Sequence, residues 1–382
     1  MKYYLIAGEA SGDLHCSNLM KSLKKKDNKA EFRFWGGDKM QAVGGTLVTH
    51  YKEMAYMGLI PVLLHLPSLL KKIRLCKQDI KNYHPDVVIL VDYAGFNLRI
   101  AKFVKQALSC PIHYYISPKI WAWNKGRIKQ FRKYVDKMFC ILPFESEFFA
   151  QLNYPVHYVG NPSVDAVAHY RRKALSKEQL LIQQQLADKP IIAILPGSRR
   201  QEIKANLKLM LSVASRFKGY QLIVAGAPGI EASFYNQLIT LYPAKVIFNQ
   251  TFFILDHSYA ALVASGTATL ETALFRIPQV VCYKVTPGRL VRFIVDHFLS
   301  FRFISLVNLI AKREVVKEMY ADLFTPQNIY PELKQILSDK IYRGKMIASY
   351  NEIIKHLGKP SASETTANYI IKYLTDQKEQ RL

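Results

Sequence analysis

Short apolar runs alternate with amphipathic stretches along the first 165 residues. The runs at 2–7 (KYYLIA), 31–35, 86–91 (DVVILV), 112–116, 138–142 and 157–159 read as strands, and 14–26, 98–108, 127–134 and 146–152 as helices between them. Strands that are apolar throughout, without alternation, belong to a parallel sheet covered by helices on both faces. A polar stretch rich in Lys and Gln at 171–189, ending at Pro190, reads as a linker with a helix crossing it. The pattern then restarts, with strands expected at 191–195, 221–225, 245–248, 260–263 and 279–283. Residues 330–374 read as helices that pack back on the first half. The expected architecture is α/β: two tandem Rossmann-like, doubly wound domains at 1–165 and 166–340, followed by a C-terminal helical segment at 341–382. Such a pair places a ligand cleft between its halves, at the carboxyl ends of both sheets.

Composition narrows the ligand. With 50% apolar and 21% charged residues the chain is not a disordered tail, and 382 residues suit two domains with real cores. The formal charge of +24 implies an anionic partner: nucleic acid, an anionic membrane surface or phosphorylated small molecules. Nucleic acid lacks support, because there is no RNP motif, zinc finger or continuous basic helix. The N-terminal apolar run is too short for a signal peptide, and the nearly uncharged run at 57–70 is too short to span a bilayer. The five cysteines are scattered and without C-x-x-C, as in reduced cytosolic proteins. Neither H-E-x-x-H nor a D-x-D pair occurs, so no metal and no cofactor is expected.

Chemistry in this architecture sits where strands end. The first such loop, Gly8-Glu9-Ala10-Ser11-Gly12-Asp13-Leu14-His15, opens a helix and can receive a phosphate, although its spacing is not G-x-G-x-x-G; alternatively Ser11 or Asp13 caps the helix. Asp92, just past the run DVVILV, is placed either to act as a general base or to cap the next helix. Trp121 and Trp123, after Ser117-Pro118-Lys119, can stack on a sugar or acyl group or fill a satellite core. In the second half, Pro196-Gly197-Ser198-Arg199 with Glu202 offers a close-approach turn and a fixed cation suited to a diphosphate. The strongest local signal is Ser265-Gly266-Thr267-Ala268-Thr269-Leu270-Glu271, small residues opening a helix where its dipole favours anions. Glu271, one turn in, is within reach of ribose hydroxyls if a nucleotide diphosphate sits on that turn.

Taken together with Leu142-Pro143-Phe144-Glu145, these motifs resemble the lipid-A-disaccharide synthase family, in that family's order and over most of the chain. The resemblance implies an inverting, metal-independent glycosyltransferase of the GT-B type. Its donor would be UDP-2,3-diacylglucosamine and its acceptor 2,3-diacylglucosamine 1-phosphate. The products would be the β-1,6-linked disaccharide 1-phosphate and UDP. Asp92 matches the family's proposed base, Ser198, Arg199 and Gly266-Thr267-Ala268 would hold the pyrophosphate, and Glu271 the ribose. The loop from Glu9 to His15 would face the acceptor, with Glu9 or His15 assisting proton transfer. Asn308, Arg313 and Glu314 match a segment near the donor site. Two departures stand out: Gly95 where many members have a second Asp, and Asn161 where His is common.

Lipid substrates direct attention to the apolar stretch 57–70, which runs into Lys71, Lys72, Arg74 and Lys77. Such a helix can lie in the interface of an anionic membrane, or be buried with a solvated end. The stretch 291–310 is similarly apolar and reads as membrane-facing or as a subunit interface. The expected setting is cytoplasmic, peripheral to the inner face of the cytoplasmic membrane, and the resemblance implies homodimers with exchanged C-terminal segments. The competing reading is another UDP-sugar enzyme on the same scaffold, an N-acetylglucosaminyltransferase or a UDP-sugar 2-epimerase.

Overall fold

The computed structural model describes residues 1–54, 66–123, 125–172, 176–285 and 303–380. Most of the apolar stretch at 57–70 and residues 291–302 lie outside them. The chain forms two compact units, Met1–Pro162 with Lys359–Leu382, and Ser163–Gly358.

In the first unit the strands are β1 (Lys2–Ala7), β2 (Glu31–Gly36), β3 (Thr46–His50), β4 (Val87–Val91), β5 (Ile112–Tyr115), β6 (Lys137–Cys140) and β7 (His157–Tyr158). They form one parallel sheet in the order β3-β2-β1-β4-β5-β6-β7. Every residue of β4 is buried, as the unbroken run VVILV requires of a strand with a core on each face. One core lies under the helices Leu66–Tyr83, Ala94–Ala107 and Ile128–Tyr134 and includes Ile80, Ile100 and Phe131. The other lies under the helix Ala10–Lys26 and receives Ala367, Ile370 and Leu374 from the last helix, Ala362–Glu379.

The second unit contains β8 (Ile191–Leu195), β9 (Gln221–Gly226), β10 (Ala244–Phe248), β11 (Ser258–Val263), β12 (Gln279–Tyr283) and β13 (Glu318–Tyr320). They also form a parallel sheet, ordered β10-β9-β8-β11-β12-β13. Both sheets therefore reverse direction once, between β1 and β4 and between β8 and β11.

The expected doubly wound α/β pair is what forms, and two strands are added to it. β3 and β13 are edge strands, buried on little of their surface, so neither needs an apolar run that a sequence pattern would reveal. The boundaries also move. The first break falls at Pro162, so the polar stretch at 171–189 belongs to the second unit, and the expected segment 341–382 divides at Gly358. The helix Lys340–Leu357 stays with the second unit, where Tyr350 is fully buried, and only Ala362–Glu379 returns to the first.

Candidate active site

In open parallel sheets ligands bind beyond the carboxyl ends of the strands, at the point where strand order reverses. The loops after β1 and β4, and those after β8 and β11, occupy those two points. They are the loops that carry the sequence motifs.

In the first unit the two loops touch. A Cβ on Gly8 would lie 2.5 Å from the Tyr93 ring, so only glycine lets that ring cover the end of β1. Asp92 follows β4 directly and is partly exposed. Burial raises its carboxyl above the ordinary range, while the Lys119 ammonium and the Tyr93 N–H pull it back down. A carboxylate whose proton affinity burial enhances, set beside a cation, suits a general base. Gly95 is exposed, with nothing within 4 Å of where a Cβ would stand, so Asp92 has no carboxylate neighbour at that position.

The first loop sorts its polar residues by depth. Glu9 is the N-cap of the helix Ala10–Lys26 and partly exposed, and Ser11 is exposed in its first turn. Asp13 and His15 point inward, to 3% and 9% exposure. Asp13 was expected to bind substrate, but its oxygens accept the backbone N–H groups of Gly37 (2.8 Å), Lys39 (3.1 Å) and Met40 (3.1 Å). It caps a neighbouring short helix, Asp38–Gln41, instead of its own. Burial pushes the His15 imidazole down to about 4, so at neutral pH the ring is uncharged and is a weak base. Glu9, partly exposed, remains as the titratable group of that loop nearest to solvent.

Trp121 also takes a different part from the expected sugar contact. It is 8% exposed, packs edge-on against Phe144, and donates its indole N–H to Glu145 (3.2 Å). Glu145 is 1% exposed and accepts Ser117 Oγ (2.6 Å) and the N–H groups of Ile141 (3.2 Å) and Leu142 (3.0 Å) as well. The two motifs around Ser117 and Glu145 thus interlock at one buried carboxyl, which fixes the loop that carries Lys119. Asn161 is buried and donates to the Ile141 carbonyl (3.0 Å), a hydrogen bond that needs no titrating side chain.

In the second unit Ser198 and Arg199 are exposed at the end of β8, with Arg199 as the N-cap of the helix Arg200–Ala214. Glu202, expected as a ligand, shapes this turn. One oxygen accepts the Ser198 N–H (3.0 Å) and the other faces Arg199 Nη1 (3.4 Å). Gly197, at φ +127°, has the Glu202 side chain 2.7 Å from where a Cβ would be, so the turn closes only on glycine. Asn206, fully buried, ties the same turn to the end of β12 by donating to Pro196 O (2.9 Å) and accepting Lys284 N–H (2.9 Å). Tyr283, beside Glu202 and Arg199, and Asn206 are contributions that no motif announced.

The turn after β11 places Ser265, then Gly266 as N-cap, then Thr267 and Ala268 in the first turn of the helix Thr267–Leu274. Thr267 is exposed, and the leading N–H groups of such a helix have no intrahelical acceptor. Glu271 lies one turn further, with no hydrogen-bond partner for its carboxyl among the described residues, and burial pushes it up to about 7. A carboxyl left in this state is ready to accept from a ligand's hydroxyls.

Asn308, expected at the donor, is committed to the scaffold. Asn308 is fully buried: its Oδ1 accepts Val315 N–H (2.8 Å) and Val316 N–H (3.0 Å), and its Nδ2 donates to Val316 O (2.8 Å) and Glu318 Oε1 (2.9 Å). No capacity remains for a substrate. Its connection to the anion turn is indirect, since Glu318 also accepts Ile304 N–H (2.9 Å) and the Ile304 carbonyl accepts Ser265 Oγ (3.1 Å). Glu314 is exposed and paired with Lys317, and Arg313 binds Ser349 and Glu352 on the helix Lys340–Leu357. Among the described residues no group of His, Cys, Asp and Glu could hold a metal ion.

Comparison with solved structures agrees with the observed topology. UDP-GlcNAc 2-epimerase from Neisseria meningitidis, solved with UDP-GlcNAc, superposes with a TM-score of 0.67, covering 98% of this chain and 100% of its own at 13% identity. The calicheamicin glycosyltransferase CalG4 superposes at 0.58, with 98% of each chain covered and also 13% identity. At that identity the likeness is one of fold, shared by epimerases and GT-B glycosyltransferases. Sequence relationship discriminates between them. Lipid-A-disaccharide synthase of Myxococcus xanthus (strain DK1622) is 35% identical over 384 residues, covering 97% of each chain. That of Coxiella burnetii (strain RSA 331 / Henzerling II) is 34% identical over 371 residues, covering 96% of each. The family model for Lipid-A-disaccharide synthetase matches residues 3–371, so the chain belongs to the lipid-A-disaccharide synthase family of glycosyltransferases.

Proposed function

We propose that this enzyme transfers the diacylglucosamine of UDP-2,3-diacylglucosamine to the 6-hydroxyl of 2,3-diacylglucosamine 1-phosphate, with inversion. The acceptor oxygen attacks the anomeric carbon, its proton passes to Asp92, and the bond from that carbon to the diphosphate breaks, releasing UDP. Charge developing on the diphosphate is met by Arg199, Ser198 and the helix start at Gly266-Thr267-Ala268, without a divalent ion. Glu271 accepts from the ribose, and Glu9 with Ser11 orients the acceptor. The observation that carries this reading is the position of Asp92 at a strand-order reversal, with a carboxyl raised by burial and attended by Lys119.

The enzyme works as a homodimer on the inner face of the cytoplasmic membrane, as a peripheral protein. Acylated substrates and the cations of the helix Leu66–Tyr83 support the membrane part of this reading. No helix among the described residues is long and apolar enough to cross a bilayer.

Mass spectrometry of the products from the two acylated substrates is the direct test, and equal turnover of an acyl-free donor would point to the competing UDP-sugar enzymes. For the base, Asp92→Asn is expected to lower kcat by roughly 10²–10⁴ with UDP binding retained. Near-normal kcat in that variant would remove Asp92 from the mechanism.

A further inference from the structure

The turn that presents Asp92 is held in a conformation its own residues disfavour. Asp92 and Tyr93 both lie in the left-handed region, with φ of 44° and 45°. Residues with a Cβ rarely adopt it, and two in succession persist only when their surroundings over-determine them. Left alone, the turn would relax and carry the carboxylate away from the end of β4.

Two buried side chains oppose this. Asn97, fully buried in the first turn of the helix Ala94–Ala107, reaches back so that its Nδ2 donates to Val91 O (3.1 Å) and Asp92 O (2.8 Å). Tyr114, fully buried on the adjacent strand β5, donates its hydroxyl to the same Asp92 carbonyl. Both acceptor positions of that carbonyl are thus filled. Burial raises the Tyr114 phenol far above its ordinary value, so it stays a donor. The remaining backbone groups are also satisfied: Asp92 N–H meets Tyr115 O (3.3 Å), and Tyr93 O accepts Phe96 N–H (3.2 Å) and Asn97 N–H (3.1 Å).

We infer that Asn97 and Tyr114 are positioning residues for the transfer reaction, clamping the Asp92 peptide from a helix and a strand so that its carboxylate is pre-set toward the acceptor hydroxyl. Both donate to main-chain carbonyls beneath the turn, and they act on the reaction only through Asp92. The inference rests on the reading of Asp92 as the base.

Four enzymes decide it: Tyr114→Phe, Asn97→Ala, Asp92→Asn and the double variant Tyr114→Phe/Asp92→Asn. Tyr114→Phe, which removes only a hydroxyl, is expected to lower kcat roughly tenfold to a hundredfold, with KM for the donor and Kd for UDP within about twofold of wild type. Asn97→Ala should do the same where it folds. In the Asp92→Asn background the Tyr114→Phe change should cost less than about twofold more, because the residue it positions has gone. Wild-type kcat in Tyr114→Phe with a lowered Tm would reduce the clamp to a structural role, and a fully additive double variant would place its action elsewhere. Either result overturns the inference while an inactive Asp92→Asn leaves the base intact. Near-normal kcat in Asp92→Asn alone would instead defeat the base reading, and this inference with it.

Discussion

If Glu271 holds the donor's ribose as proposed, it makes donor binding sensitive to pH at a single residue. Burial holds its carboxyl at about 7, above its ordinary value, so across the physiological range it passes from mostly neutral to mostly ionised. The ionised form accepts from two ribose hydroxyls more strongly than the neutral acid, which turns one oxygen into a donor. Affinity for a UDP-sugar, whose diphosphate has no group titrating near 7, should therefore weaken by up to roughly tenfold per pH unit below 7 and level off above it. Glu271→Gln should flatten this profile, and a flat profile in the wild type would sink the assignment. The sign for folding is the opposite. The folded state holds this proton more tightly than the unfolded chain, so the contribution to stability is largest at low pH and is lost as pH rises through about 7. Other motif residues show why ligands and scaffold look alike in a sequence. Asp13, Glu202 and Asn308 stand in or beside motif loops, yet each spends at least one side-chain oxygen on a backbone N–H. Shaping a phosphate-receiving turn and contacting the phosphate both demand a small set of polar residues. Only the direction of the side chain tells them apart.

At the scale of elements, the strands facing two cores were legible because each leaves an unbroken apolar run, as in β4 and β8. In β3 (TLVTH) and β13 (EMY) only two apolar residues stand together, too short a run to read, and both strands came only with the structure. Interlocking of distant motifs was equally hidden. Ser117 and Glu145 lie in separate loops, and nothing in their spacing says that one carboxyl satisfies Ser117, Trp121, Ile141 and Leu142 together. That hub joins the loop after β5 to the start of the helix Pro143–Gln151 and is itself buried, so its oxygens have no substitute in water. Glu145→Gln exchanges one acceptor for an NH₂ that must face donors, which should destabilise the protein by roughly 2–4 kcal/mol in denaturant unfolding. UDP binding, assigned to the second unit, should persist below the transition. A loss under about 0.5 kcal/mol would show that the loop is held by other contacts.

For the whole molecule the excess of cations becomes a surface. The helices Leu66–Tyr83, Ala94–Ala107 and Ile128–Tyr134 cover one core of the first unit with their apolar faces. Exposed on them are Lys71, Arg74, Lys81, Arg99, Lys102, Lys129, Arg132 and Lys133. Their one acidic residue, Asp79, is turned inward onto Arg33 (2.6 Å) and Tyr4 (2.7 Å). These three helices hold eleven Lys and Arg against one Asp, a local excess of ten within the chain's +24, and such a one-sided layer favours a flat anionic partner. Each cation near a leaflet contributes about 1 kcal/mol, a contribution screened over a Debye length of about 8–10 Å. The full chain should therefore bind vesicles containing anionic lipid at low ionic strength and release them as salt is raised. Charge reversal at Lys102 and Lys129, far along the chain from the apolar stretch at 57–70, separates the two contributions to membrane binding. If the helical layer is the docking face, this pair of reversals should weaken binding to anionic vesicles by roughly tenfold or more while turnover of detergent-dispersed substrate stays unchanged. Unaltered vesicle binding would leave the apolar stretch as the anchor and the cations of this layer as ordinary solvated charge.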